Sequence, residues 1–302
     1  MSDVVTPAEE AERRTGFIAV AGAYTFWGFF PLYLHLLSFA DVREVLGQRI
    51  LWSIPTAIAV LIVMSGLRNG LAELRAALKP RMIATLAMSS VFIFGNWGLY
   101  LWLVLSHRVI ESSLAYFLTP LVAVAAGVLF FKERITAAQI AALAFAALGI
   151  VVQAWALGAP PWLALLICAT WSAYAIVRKQ VAVSPAVGLL IETVTLAPLA
   201  AWFLWWAAQQ APLSFGTSPV HTLLLMLSGP ATAFPLTAFA FGARRVSLTV
   251  IGLLQFIAPS LQFAVGLAFG EAFTPLRAAS FALIWVGLGV FCWDAIRRAR
   301  MR

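Results

Sequence analysis

Residues 111–136, ESSLAYFLTPLVAVAAGVLFFKERIT, and residues 249–274, TVIGLLQFIAPSLQFAVGLAFGEAFT, decide how this chain is read, because the second is a diverged copy of the first. Pro120 falls on Pro259 and Gly127 on Gly266 at an offset of 139, then Glu133 on Glu271 and Thr136 on Thr274 at an offset of 138. One residue has slipped between them. A second correspondence lies upstream, where Arg49 precedes Pro55 and Glu192 precedes Pro198 by the same six residues. Each stretch is dominated by an apolar run long enough to cross a bilayer as a helix.

The rest of the chain is of the same kind. Of 302 residues, 63% are hydrophobic and 11% charged, and the mean hydropathy is +0.95. A water-soluble fold of this length has no interior large enough to hide that much apolar surface. The 15 prolines and 20 glycines do not argue against helices, since membrane spans tolerate them where neighbours satisfy the freed backbone groups. Taking about 20 apolar residues per crossing, spans fall near 16–38, 45–65, 82–104, 110–131 and 136–157, then near 161–180, 185–207, 220–243, 247–270 and 274–295. The expected fold is all-α and integral to the membrane, with ten transmembrane helices. Residues 1–15 read as a polar cytoplasmic tail without the apolar core and cleavage site of a signal peptide, and residues 296–302 as a basic cytoplasmic tail. The longest connection, near residues 66–81, is too short for a soluble catalytic domain.

Charge fixes the expected orientation. With the amino end inside, 16 of the 20 Lys and Arg residues are cytoplasmic, Arg43, Arg108 and Arg277 lie outside, and Arg49 lies within a span. With a bacterial inner membrane as the expected location, that bias places both termini in the cytoplasm and explains the net charge of +8 without a nucleic acid. Cys168 and Cys292 sit in apolar runs, and His35, His107 and His221 lack the i, i+4 spacing of a helical metal site. Neither metal nor cofactor is expected.

Five spans per copy is an odd number, so residues 161–295 enter the membrane from the side opposite to residues 16–157. Such inverted-topology repeats meet near the bilayer midplane, and exchanging their conformations yields inward-open and outward-open states. A duplication retained only for stability leaves the same trace in a sequence.

Several further motifs recur in order: FWGFFPLY (26–33), QRILWS (48–53), NWGLYLW (96–102), AYAIVRK (173–179), IETVTLAP (191–198) and FALIW (281–285). With the two stretches quoted first, they make the chain, from about Phe17 to Trp293, resemble the RarD group of the EamA-type permeases within the drug/metabolite transporter superfamily. The resemblance implies ten helices in two inverted five-helix repeats around a central cavity, and ion-coupled export of small molecules such as metabolites or drugs.

Charges inside a span cost about 2.5 to 3.5 kcal/mol on insertion scales, so Arg49 and Glu192 carry the functional reading. At 1.5 Å per residue Arg49 lies roughly 6 Å below the outer end of its span and Glu192 roughly 10 Å above the inner end of its own. In a core of about 30 Å their depths differ by some 14 Å, which does not favour a direct salt bridge. Asn96 and Tyr116 fall near the level of Arg49, and Gln255, the counterpart of Tyr116, near that of Glu192. Arg49, Asn96 and Tyr116 are expected to hydrogen-bond an anionic or zwitterionic substrate group, and Trp27, Trp97, Tyr100 and Tyr174 to line the cavity. Glu192 is the candidate for ion coupling, because burial disfavours a charged carboxyl and contact with a water-filled cavity favours it. Each of these residues also has a bland reading, as packing, interface or helix-bonding groups. Glu133 and Glu271 read as structural, stabilising the amino end of the next helix. Pro120 and Pro259 are expected to bend their helices, and Gly266 and Gly270 form a GxxxG pair compatible with close packing or dimerisation. The competing functions are an uncoupled facilitator, an intramembrane enzyme, which would need paired acids or an activated nucleophile at depth, and a sensor.

Overall fold

The computed structural model describes residues 7–131, 136–158, 160–179, 181–246 and 248–300, and no strand occurs among them. The helices are α1 (Pro7–His35), α2 (Val42–Ala77), α3 (Pro80–Leu105), α4 (Val109–Phe131), α5 (Ala137–Leu157), α6 (Trp162–Lys179), α7 (Pro185–Gln210), α8 (Pro219–Ala243), α9 (Leu248–Leu254), α10 (Ile257–Ala268) and α11 (Pro275–Arg300). Among the described residues seven of them are long and apolar enough to cross a membrane, and shorter apolar stretches lie in α4, α6 and α10. The chain is an all-helical, multi-span membrane protein.

Local chemistry sets the ends. Pro80, Pro185 and Pro219 each open a helix, where a missing N–H costs nothing. Thr136 and Gln139 form a capping box at α5, and the Thr136 hydroxyl also donates to Asp294 of α11 at 3.0 Å. Asp41 accepts from the backbone N–H of Arg43 and pairs with its guanidinium at 2.7 Å, and that side-chain bond holds its carboxyl below the usual carboxylate range.

Four stretches differ from the sequence reading. The tail at 1–15 is helical from Pro7 onward, and α11 runs through the C-terminal tail as far as Arg300. The connection at 66–81 is helical as well. Gly66, at φ 73° and ψ 158°, breaks α2, after which good helix formers in LAELRAALK (71–79) resume the helix. The ninth span is two helices. Pro259 has no N–H for the carbonyl of Gln255, and its ring crowds that same carbonyl, so the helix opens at Gln255 and Phe256. Pro120 stands in the same relation to Tyr116, yet α4 continues through it. Lys132, Glu133, Arg134 and Arg302 lie outside the described residues.

α2 is the central element and packs along α7 and α8. Around it α1 meets α8 and α10, α6 meets α3 and α4, α4 meets α10, and α5 lies along α11. The α4–α10 contact is tied by Glu271, whose carboxylate accepts the backbone N–H groups of Val109 and Ile110 at the start of α4. It therefore caps a distant helix rather than the next one. Gly270, at φ 76° and with nothing within 4 Å of a Cβ, turns the chain back, whereas a Cβ at Gly266 would press on Ile110 at 2.7 Å, so only Gly266 of the GxxxG pair serves close packing within the chain.

The α2–α8 crossing is closest at Gly229, where a Cβ would fall on the Trp52 carbonyl. Gly229→Ala is expected to lower stability by about 1–3 kcal/mol through overpacking. Gly22→Ala, at an α1 position with nothing within 4 Å, should leave it unchanged. Thermal unfolding of the two variants in detergent checks both.

Candidate functional site

The helices enclose a cavity of about 510 Å³, a size that suits a small organic molecule. All nine residues singled out from the sequence line it: Trp27, Arg49, Asn96, Trp97, Tyr100, Tyr116, Tyr174, Glu192 and Gln255.

α2 brings Arg49 to the wall, 6% exposed, where its Nε donates to the Thr232 hydroxyl of α8 at 2.9 Å. Its guanidinium lies 4.4 Å from the ring centre of Trp97 and 5.1 Å from that of Phe30. The quadrupoles of two aromatic faces offset the buried charge, and no carboxylate pairs with it among the described residues. Its Nη1 has no hydrogen-bond partner. This is a cation held in place with a donor to spare.

Asn96 is a strut as well as a lining group. Its Nδ2 donates to the Ile167 carbonyl at 2.9 Å and to Thr170 at 3.3 Å, joining α3 to α6, and those bonds leave Oδ1 unpartnered. Gln262 on α10 repeats the arrangement. It donates to the Trp27 carbonyl at 3.1 Å and leaves Oε1 free. The Tyr100 hydroxyl is also buried without a partner. An unpaired buried polar group costs about 1–3 kcal/mol, so these atoms favour whatever satisfies them.

The aromatic lining is continuous. Tyr100 stacks on Phe30 at 6.3 Å and meets Tyr116 edge-on at 5.8 Å, and Tyr116, Trp171 and Tyr174 follow at 6.5 and 5.7 Å. On the other wall Trp27 packs with Tyr24 and Phe239. Gln255 stands in the break between α9 and α10. Because proline follows four residues on, the carbonyls of Tyr116 and Gln255 both lack their helical donors.

Glu192 on α7 is 2% exposed. Ser89 donates to its Oε1 at 2.5 Å, Tyr174 to its Oε2 at 3.4 Å, and the Arg178 Nε stands 3.6 Å from Oε1. Arg49 and Glu192 thus share a cavity, each with partners of its own.

Arg178 is the residue the sequence reading missed, having counted it as a cytoplasmic topology charge. It lies in the cavity wall because Gly188 has no side chain, and a Cβ there would occupy the guanidinium position. A signal existed. Tyr174 and Arg178 are one helical turn apart in AYAIVRK and so share a face. The other buried carboxylates, Glu44, Glu111 and Asp294, are held elsewhere by Ser214 and Phe215, by Arg108 and by Thr136.

No family model matches the chain. Curated relatives do. Protein RarD of Streptomyces exfoliatus is 38% identical over 294 residues, covering 96% of this chain and 92% of its own. Protein RarD of Escherichia coli is 35% identical, covering 96% and 97%. The uncharacterized transporter YojE of Bacillus subtilis is 35% identical, covering 97% and 98%. A solved crystal structure superimposes with a TM-score of 0.58 over 92% of this chain and 97% of its own, and at 22% identity it bears on the fold alone.

If Arg178 neutralises Glu192, its removal strands a buried carboxylate. Arg178→Met is expected to cost about 3 kcal/mol, and Arg178→Met with Glu192→Gln to recover most of that. A double-mutant cycle of unfolding in detergent measures the coupling.

Proposed function

The chain belongs to the RarD-type permease family, and on that premise we propose that it is a secondary transporter that moves small molecules across the bacterial inner membrane by alternating access. The observation that carries this reading is the cavity, a partly open polar and aromatic chamber within a bundle of apolar helices, walled by residues from both halves of the chain. A membrane-buried charge is expensive, and two arginines with one glutamate around a single space mark a path for polar cargo.

The proposed repeats span residues 16–157 and 161–295, with both termini cytoplasmic. The packing supports them. Swapping the halves converts the α1–α8 contact into α6–α3 and the α1–α10 contact into α6–α4, while α2–α7 and α5–α11 convert into themselves. A bundle with such exchangeable contacts has two equivalent ways of opening.

Arg49, with its spare Nη1, receives an anionic or zwitterionic group of the substrate, the free Tyr100 hydroxyl donates to it with Tyr116 alongside, and the free Asn96 Oδ1 accepts from the ammonium of a zwitterion. Trp27, Trp97, Tyr174 and Gln255 surround the remainder. Glu192 carries the coupling proton of an exporter, losing it when the cavity around it fills with water. The Arg178 contact favours a second reading as well, in which Glu192 stays charged as half of a permanent ion pair and the protein is an uncoupled facilitator.

Proteoliposomes holding wild-type protein or Glu192→Gln, screened with amino acids, related metabolites and amphenicols under an imposed pH gradient, separate the two. Proton-coupled antiport predicts that wild type accumulates substrate against its gradient while Glu192→Gln only equilibrates it. Coupling that survives the substitution assigns Glu192 to packing. Wild type that never responds to pH supports the facilitator.

A further inference from the structure

The part of α2 beyond Gly66 has no role in the cavity. Its residues sort into three faces at helical spacing. Gly70 and Ala77 are buried, with Gly70 seated against Leu61, and Leu74 is partly buried beside the core. Glu73 fastens a second side to the protein, accepting from Ser65 at 2.9 Å and from Ser184 at 2.8 Å. The third face is open. Leu67, Leu71 and Leu78 form an exposed apolar stripe at i, i+4 and i+11, and Arg68 and Arg75 stand beside it, also exposed.

Lys79 and Arg81 follow directly and are exposed too. None of these four basic residues forms an ion pair among the described residues, and Glu73, the one acid in residues 67–81, is committed to its two serines. The stripe continues from Ile62, Val63 and Met64, the exposed apolar end of the membrane-crossing part of α2. An apolar stripe joined to a span and edged by unpaired arginines fits the boundary between acyl chains and headgroups, with aliphatic stems in the apolar layer and guanidinium groups at phosphate depth.

From this we infer that residues 67–81 are a binding surface for anionic phospholipid, with Arg68 and Arg75 at the headgroup phosphate and Leu67, Leu71 and Leu78 against the acyl chains. Attraction to an anionic membrane grows with each basic residue near its surface, and Arg68 and Arg75 are the pair that stands on α2 itself, beside the leucine stripe. The surface lies outside the cavity, so its test does not depend on transport.

The test titrates dioleoylphosphatidylglycerol into the full chain in dodecyl maltoside micelles and follows thermal unfolding by tryptophan fluorescence. Wild type should be stabilised by the anionic lipid and far less by phosphatidylcholine of the same chains. Arg68→Gln/Arg75→Gln should unfold like wild type without added lipid and need on the order of tenfold more phosphatidylglycerol for half the shift. Arg13→Gln/Arg14→Gln, which removes two exposed arginines at the start of α1, should respond as wild type does. Equal stabilisation by the two lipids, an unchanged midpoint in Arg68→Gln/Arg75→Gln, or an equal shift in the α1 variant would each overturn the assignment.

Discussion

Everything in the cavity depends on how closely α2 approaches α7 and α8. Arg49 reaches Thr232 only because Gly229 lets the two backbones nearly touch, and Glu192 reaches Ser89 and Arg178 from the helix packed on the other flank of α2. In lipid no hydrophobic force drives one helix against another, so close approach through small residues is what holds such a bundle together. A looser crossing would leave both charges in apolar surroundings with nothing to bond.

The two charges are treated differently. Glu192 is enclosed by a hydroxyl, a phenol and a guanidinium, the usual means of keeping a carboxylate in a low-dielectric place. Arg49 has aromatic faces and one hydroxyl, and keeps a donor in reserve. One group is already answered by the protein while the other waits for a partner. That asymmetry separates the proposed coupling residue from the proposed anchor for cargo.

Much of this was legible in the sequence. Apolar runs and breakers located the helices, and the repeat brought Tyr116 and Gln255 into correspondence before either was seen at the same cavity. What the sequence concealed had physical reasons. Gly66 looks like the end of a span, yet the residues after it favour helix, so a connection proved to be a surface helix. Pro120 and Pro259 have the same pattern, yet one helix runs on and the other opens, so the proline alone does not decide the outcome. Arg178 was hidden by charge counting, which cannot tell an arginine facing the cytoplasm from one that folds back over Gly188.

Glu271 has a consequence for resting populations. Its carboxylate, from the connection that follows α10, holds two backbone donors of α4 in the other half of the chain, and any motion that parts the two must surrender both bonds. At about 2 kcal/mol for the pair, these two bonds on their own weight the arrangement that makes them roughly thirtyfold over one that does not. A substrate that opens this end then has to bind the parted form more tightly by a similar factor, so part of its intrinsic affinity is absorbed in tipping the equilibrium. A weak measured affinity is therefore compatible with a cavity that fits its cargo well.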